Sequence, residues 1–197
     1  MADSSVLSVY PVPKICYTSA AFLIHGGRLL CVRHRKLDLW LCPGGHVEEN
    51  ELPHVAAERE CLEEAGVKVR AVSSMPNNSD AGGMYLPLPF AQNLHWISQV
   101  NYQRRVQEPS YYQPDPKWPR GCEQHVCMLY TVELAEETAT TEKMNDESTE
   151  IGWFTLDELT QMAVTDGFIW EAQRALAVVR SLQSTRNPQS TSPSQAL

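Results

Sequence analysis

The sequence predicts an α/β fold, an α/β/α sandwich built from strands, one internal helix and two closing helices. Three observations predict it. Short β-prone runs punctuated by Gly and Pro open the chain. A helical segment with its own start and stop residues follows, and two more helical segments succeed the last strand candidates.

The elements follow in order. Ile15 to Ile24 reads as a strand, His25-Gly26-Gly27 as a turn, and Arg28 to Arg33 (RLLCVR) as the second arm of a hairpin. His34 to Leu39 is a polar loop, and Trp40-Leu41-Cys42 a short strand stub that ends at Pro43-Gly44-Gly45. Pro53 to Ala65 is predicted helical, because proline suits a first turn and Gly66 suits the position just past the end. Leu52 stands where a capping Ser, Thr or Asp is expected and cannot satisfy the free amides; Asn50 offers a cap one turn earlier. Val67 to Val72 is the next strand.

Met75 to Glu123 is a long insertion rich in prolines and aromatics. Within it Met84 to Ile97 is apolar enough to be ordered, whereas Gln107 to Gly121 (QEPSYYQPDPKWPRG) reads as an extended, mobile loop. Gln124 to Leu134 and Glu150 to Phe154 are strands. Thr155 with Glu158 forms a capping box, and a last helix runs from Gly167 to Leu182 with Ile169, Ala172, Leu176 and Val179 on one face. Residues 1–183 therefore read as one domain. The tail 184–197 (STRNPQSTSPSQAL) has almost nothing to bury and is expected to be disordered.

The bulk composition excludes several classes. A formal net charge of -8 over 197 residues leaves no excess cationic surface for general nucleic-acid binding, so phosphate recognition must come from local cations or from metal. Mean hydropathy is -0.33, and no apolar stretch reaches spanning length. MADSSVLSVYPVPK lacks the basic start and apolar core of a signal peptide. The six cysteines contain no CxxC pair, and several sit in apolar runs, so all six are expected as free thiols packed as small hydrophobes. A reduced, cytoplasmic protein is the expectation.

The segment that carries chemistry is GHVEENELPHVAAERECLEEAGV, from Gly45 to Val67. Its fixed positions are Gly45, Glu51, Arg59, Glu60, Glu63, Glu64 and Gly66, with Cys61 and Val67 at the apolar ones. Glu60, Glu63 and Glu64 share one helix face through i, i+3 and i+4 spacing. Three carboxylates so placed repel one another, and they lie near a helix C-terminus, where anions are disfavoured. A hard divalent cation with oxygen ligands removes that penalty. Mg²⁺ fits best because it also binds phosphate oxygens, with Mn²⁺ a substitute. Consecutive glycines at Gly44 and Gly45 let a ligand approach backbone amides.

This spacing resembles the Nudix box, and a chance match in a chain this long is on the order of one in ten million. The resemblance implies a Nudix-like sandwich with a mixed sheet and a hydrolase that cleaves a nucleoside diphosphate linked to another moiety. It implies that Glu60, Glu63 and Glu64 bind metal and are catalytic, that one of them or a later glutamate takes the proton of the attacking water, and that Arg59 pairs with Glu51 as structural support. Glu147 and Glu150 are the later candidates for the base. Arg33, His34, Arg35 and Lys36 form the only dense basic cluster, so Arg33 and Arg35 join Gly44 and Gly45 as substrate-binding candidates. Trp40, Trp96, Tyr111, Tyr112 and Trp118 are candidates for base stacking. Tyr85, eighteen residues after Val67, points weakly to dinucleoside polyphosphates, and Pro87 falls late for the ADP-ribose pattern. The expected partner is a nucleotide-type small molecule, with no membrane and a homodimer left open. A nucleotide-sensing module without turnover and an RNA decapping hydrolase are the alternatives.

Overall fold

Gly26 and Gly27 take φ of 57° and 76°, the left-handed pair that a two-residue hairpin turn requires. They join strand β1 (Ile15–His25) to β2 (Arg28–His34) with His25 opposite Arg28. The structure, a computed structural model, describes residues 11–73, 83–135 and 148–186. After the hairpin come β3 (Leu39–Leu41), β4 (Gly44–His46), α1 (Pro53–Ala65), β5 (Val69–Ala71), β6 (Ala91–Trp96), α2 (Gln99–Gln107), β7 (Gln124–Leu134), β8 (Ser148–Phe154), α3 (Leu156–Leu159) and α4 (Phe168–Arg186). The strands form one eight-stranded sheet whose main path runs β3-β2-β1-β7-β5, with β4 on β1, β6 on β7 and β8 on β2. This is the α/β class that the sequence predicts.

The described residues gather into two compact units, 11–17 with 93–127 and 18–92 with 128–186. The core of the larger unit lies between α1 and the sheet. Ala57, Cys61 and Ala65 on the helix meet Leu23, Leu30, Val32, Val69, Tyr130 and Val132. Helix α1 begins and ends as its sequence implies. Pro53 stands in the first turn, Leu52 contributes no side-chain cap, and Gly66 ends the helix at φ 67° with its amide on Leu62 O at 3.0 Å. Asn50 provides no cap; it takes φ 63° in the turn that precedes the helix. Thr155 and Glu158 form the expected capping box at α3.

The smaller unit corrects two expectations. Gln107 to Gly121 is not an extended loop: a 3₁₀ turn occupies Pro109–Tyr111, and a second turn is closed by Trp118 N on Asp115 O at 2.7 Å. The buried Asn101 of α2 ties this segment down: its oxygen accepts from Asp115 N at 2.7 Å, and its amide donates to Trp118 O at 3.5 Å and to Cys122 O, just past the segment, at 3.3 Å. A single side chain placed inside the loop thus replaces the hydrogen bonds that water would otherwise make. Cysteine is the second correction. Cys16 and Cys122 form a disulfide across 106 residues, leaving Cys31, Cys42, Cys61 and Cys127 free.

Beside that disulfide Glu123 is fully buried, accepting from Lys14 N at 2.7 Å and from Arg105 Nη2 at 2.8 Å. Burial alone would raise its carboxyl, but the hydrogen bonds from Arg105 and Lys14 outweigh it and hold the group below the usual range. A third expectation shifts by a turn. Helix α4 runs through Arg186, which pairs with Glu133 at 2.6 Å, so the tail does not begin at residue 184. Residues 187–197 lie outside the described residues.

Candidate active site

Strand β4 and helix α1 place the box residues. β4 pairs antiparallel with β1, setting Gly44 opposite Ala20 and Gly45 opposite Ser19. Both glycines are required by space rather than by conformation. A Cβ at Gly44 would stand 2.6 Å from Ser19 O, and one at Gly45 would stand 2.5 Å from Glu60 Cδ. The missing Cβ at Gly45 therefore lets the Glu60 carboxylate come up against β4, and the missing Cβ at Gly44 lets β4 lie close to β1.

Glu60 and Glu64 occupy the inward face of α1, at 8% and 1% exposure, among Ala57, Cys61 and Ala65. Acids are rarely buried so deeply without partners. Glu64 accepts the Gly44 amide at 2.9 Å. Glu60 accepts from Arg59 Nη1 at 2.8 Å, and the half-exposed Glu63 accepts from the same nitrogen at 3.0 Å. Arg59 also holds Glu51 in a two-pronged pair at 2.8 and 3.0 Å and donates to His46 O at 3.0 Å. One guanidinium thus fastens the loop after β4 to the helix. Its hydrogen bonds to Glu51 hold that carboxyl below the usual range, and Glu51 in turn raises Arg59 further. Burial beside Glu64 pushes the Cys61 thiol up to about 12, so Cys61 is a packed neutral thiol.

The structure brings Gly44, Gly45, Glu51, Arg59, Glu60, Glu63 and Glu64 into one cluster. The Gly44 amide, a sequence candidate for phosphate, is given to Glu64 instead. Arg33 and Glu150 meet each other at 2.7 Å across β2 and β8, and Arg33 also pairs with Asp38 at 2.7 Å. Those two carboxylates raise the Arg33 guanidinium above its ordinary value. Arg35 is exposed on the turn after β2. Glu147 lies outside the described residues. Among the aromatic candidates, Trp40 packs edge-on to Phe154 and Trp96 to Tyr102, Trp118 carries Lys117 over its ring, and Tyr111 is largely exposed. The hydroxyl of Tyr112 is buried.

Sequence reading missed Ser19. Its buried hydroxyl donates to Pro53 O at 2.6 Å, with Met128 O at 3.3 Å, hooking β1 to the first residue of α1. No local pattern signals this role, because Pro53 is 34 residues away. Glu58 similarly accepts the Ala71 amide at 2.8 Å and joins α1 to β5.

The likeness to known proteins is specific at the family level. The NUDIX domain family model matches residues 17–176. Among solved structures, a Nudix-family hydrolase from Clostridium perfringens superposes with a TM-score of 0.62 at 23% identity, covering 83% of this chain and 97% of its own. An ADP-ribose pyrophosphatase from Streptococcus suis gives 0.54 at 18% identity, with 86% and 93% covered. An Ap4A hydrolase from C. elegans gives 0.52 at 13% identity, with 85% and 98% covered. No curated protein matches in sequence. The family match spans most of the chain and includes every residue of the β4–α1 cluster, so the chain belongs to the Nudix hydrolase family, in the enzyme class of the Nudix pyrophosphohydrolases.

Proposed function

We propose that this protein hydrolyses the pyrophosphate bond of a nucleoside diphosphate linked to another moiety, by attack of water on phosphorus at a divalent-metal site formed by Glu60, Glu63 and Glu64. The observation that carries the reading is the burial of Glu60 and Glu64 on one face of α1 against the glycines of β4. Burying carboxylates is costly, and beside Arg59 on Glu60 and the Gly44 amide on Glu64 a divalent cation is the group that would offset the remaining charge. The donor set is all carboxylate oxygen, which suits Mg²⁺, with Mn²⁺ as a substitute, and does not suit a soft metal. In donor chemistry the three carboxylates suit the divalent cation that the family generally uses.

A bound Mg²⁺ would screen the phosphate charge and lower the pKa of a coordinated water. The chain's own residues do the rest. Arg59 fixes the rotamers of Glu60 and Glu63 from one nitrogen and anchors them to Glu51. The Gly44 amide orients the Glu64 carboxylate. The missing Cβ at Gly45 makes room for the Glu60 carboxylate against β4, and the missing Cβ at Gly44 lets β4 lie against β1. We assign the proton of the attacking water to one of the three α1 glutamates, which would flank the metal, rather than to Glu150, which pairs with Arg33 across β2 and β8. The same pair counts against Arg33 as a phosphate grip; Arg35 keeps that role in the proposal.

The substrate's second moiety is open. The structural neighbours include proteins named for ADP-ribose, UDP-X and Ap4A, which have a phosphoanhydride in common and differ in what it carries. Among the described residues no helix is long and apolar enough to cross a membrane. A cytoplasmic location, the sequence-based expectation, would set the Cys16–Cys122 bond against a reducing thiol pool.

The test is product analysis with Mg²⁺ and a panel of nucleoside triphosphates, dinucleoside polyphosphates, nucleotide sugars, ADP-ribose and capped RNA, with Glu64→Gln as control. One Mg²⁺-dependent cleavage that disappears in the control supports the reaction and the site together. Binding without product across the panel overturns turnover in favour of a sensing module. Cleavage that survives Glu64→Gln overturns the ligand assignment.

A further inference from the structure

β6 lies against β7. The two run in opposite directions, since Phe90 N donates to Leu129 O at 2.8 Å at one end and Ile97 N to Glu123 O at 2.9 Å at the other. Between those bonds His95 of β6 and His125 of β7 meet, their ring centroids 5.7 Å apart and their planes inclined by 74°. Both belong to the smaller unit. Neither takes part in the hydrolytic reaction proposed for the α1 carboxylates.

Spacing, orientation and access all suit a shared ion. Zn²⁺ binds an imidazole nitrogen at about 2.0–2.1 Å, which puts the ring centroid about 3.2 Å from the metal. Two rings on one ion then stand about 5.2 Å apart at a tetrahedral angle and about 6.4 Å apart in line. The observed 5.7 Å falls inside that interval. Asn93, two residues before His95 and on the same face of β6, brings its Oδ1 to 3.0 Å from His95 Nδ1. An amide oxygen only accepts, so Nδ1 carries the hydrogen and the lone pair sits on Nε2. Metal-bound imidazoles are held in this way, by an oxygen on the ring nitrogen that the metal does not use. His95 is exposed and His125 half-buried, so an ion reaches the pair from solvent. Strands rather than loops carry both side chains, which fixes their backbone positions.

We propose that His95 and His125 form a second metal site, which takes a borderline transition ion such as Zn²⁺ through two neutral imidazoles, with water in the remaining positions. Nε2 of His95 is one ligand, and rotation about the Cβ–Cγ bond of His125 brings a ring nitrogen to the other. Imidazole suits zinc, copper and nickel ions, whereas Mg²⁺ takes oxygen ligands, so this site and the α1 carboxylates differ in the ions they favour. The bound ion ties β6 to β7 within the inserted unit.

The full chain, labelled with ¹⁵N, is titrated with Zn²⁺ at pH 7.5, above the usual imidazole pKa of about 6.5, in saturating Mg²⁺. Long-range ¹H–¹⁵N correlation follows the rings of all six histidines, and calorimetry gives the affinity. The proposal expects the His95 and His125 rings to shift together at one equivalent. His95→Ala and His125→Ala should each abolish the response of the remaining ring, and Asn93→Ala should weaken binding about 10-fold. Heat without a shift in either ring places the ion on thiols or carboxylates and overturns the site. A ring that still responds after its neighbour is removed shows a lone surface histidine and overturns the pair. Thermal melts check the variants, and the wild-type titration decides even where a variant fails to fold. No turnover is read, so the result stands whatever becomes of the hydrolase reading.

Discussion

Gly45→Ala separates the position of a carboxylate from the stability of the fold. Gly45 has ordinary backbone angles, so alanine adds a methyl group without conformational strain. That methyl would lie 2.5 Å from Glu60 Cδ and 2.8 Å from Glu60 Oε2. The nearest atom, Glu60 Oε1, would be only 2.2 Å away, so restoring ordinary contact at 3.4 Å moves the carboxylate by about 1.2 Å. The carboxylate is the far end of a flexible side chain, so it retreats while the backbone stays. A displacement of about 1 Å in a catalytic group costs on the order of 100-fold in rate, equivalent to about 2.7 kcal/mol of barrier. The expected result is kcat reduced about 100-fold at saturating Mg²⁺, with the melting temperature lowered by no more than a few degrees. Gly44→Ala is the companion. Its methyl would meet Ser19 O at 2.6 Å and Ala20 Cα at 3.0 Å, which are backbone atoms, so strain spreads into β1 and stability falls by about 1–3 kcal/mol. Steady-state kinetics and thermal melts on both variants decide the matter. Near-normal turnover in Gly45→Ala refutes the reasoning, as does a melting loss equal to that of Gly44→Ala.

Arg59→Met should destabilise the protein by about 3 kcal/mol, because it strands Glu51, which has only 13% of its side chain exposed, and frees Glu60. A double-mutant cycle with Glu51→Gln should show coupling above about 1 kcal/mol, and additive effects would deny the pair its structural role. Glu51, Glu123 and Glu133 all have folded-state pKa values held below their unfolded ones. Their stabilisation is present above the unfolded value of about 4.3 and is lost as pH falls through the folded values. Melts between pH 7 and pH 3 should show that loss, and Glu123→Gln should be less stable at pH 7 yet flatter with acid. Denatured, unreduced protein should alkylate at four of its six cysteines, since Cys16 and Cys122 are joined; six reactive thiols would remove the disulfide.

What could be read from the sequence and what could not divide by the range of the interaction involved. Pro53, Gly66 and the Thr155–Glu158 box act within one helical turn, so their meaning is local, and the structure uses each of them as the sequence implies. The face shared by Glu60 and Glu64 is likewise fixed by helical geometry once the helix is granted. What helical geometry alone does not reveal is that this face is buried. Glu64 is nearly inaccessible, with its carboxylate on the Gly44 amide, and the missing Cβ at Gly45 makes room for Glu60 beside it. Arg33 and Glu150 each look available as single residues; only the β2–β8 register, with its irregularity between Val32 and His34, brings them together.

The inserted region was hardest to read for the same reason. QVNYQRRVQ has too few apolar residues to signal a helix by periodicity, and α2 is specified by the Ser98 cap and the buried Asn101. Those bonds, the Lys14–Glu123 contact and the Cys16–Cys122 bridge all join residues distant in sequence. A composition rich in proline and aromatics looks loose when only neighbours are counted, yet a loop is ordered once buried polar side chains satisfy its backbone. The same reasoning makes Asn101 and Glu123, rather than the exposed aromatics, the residues whose loss should unravel the insertion first.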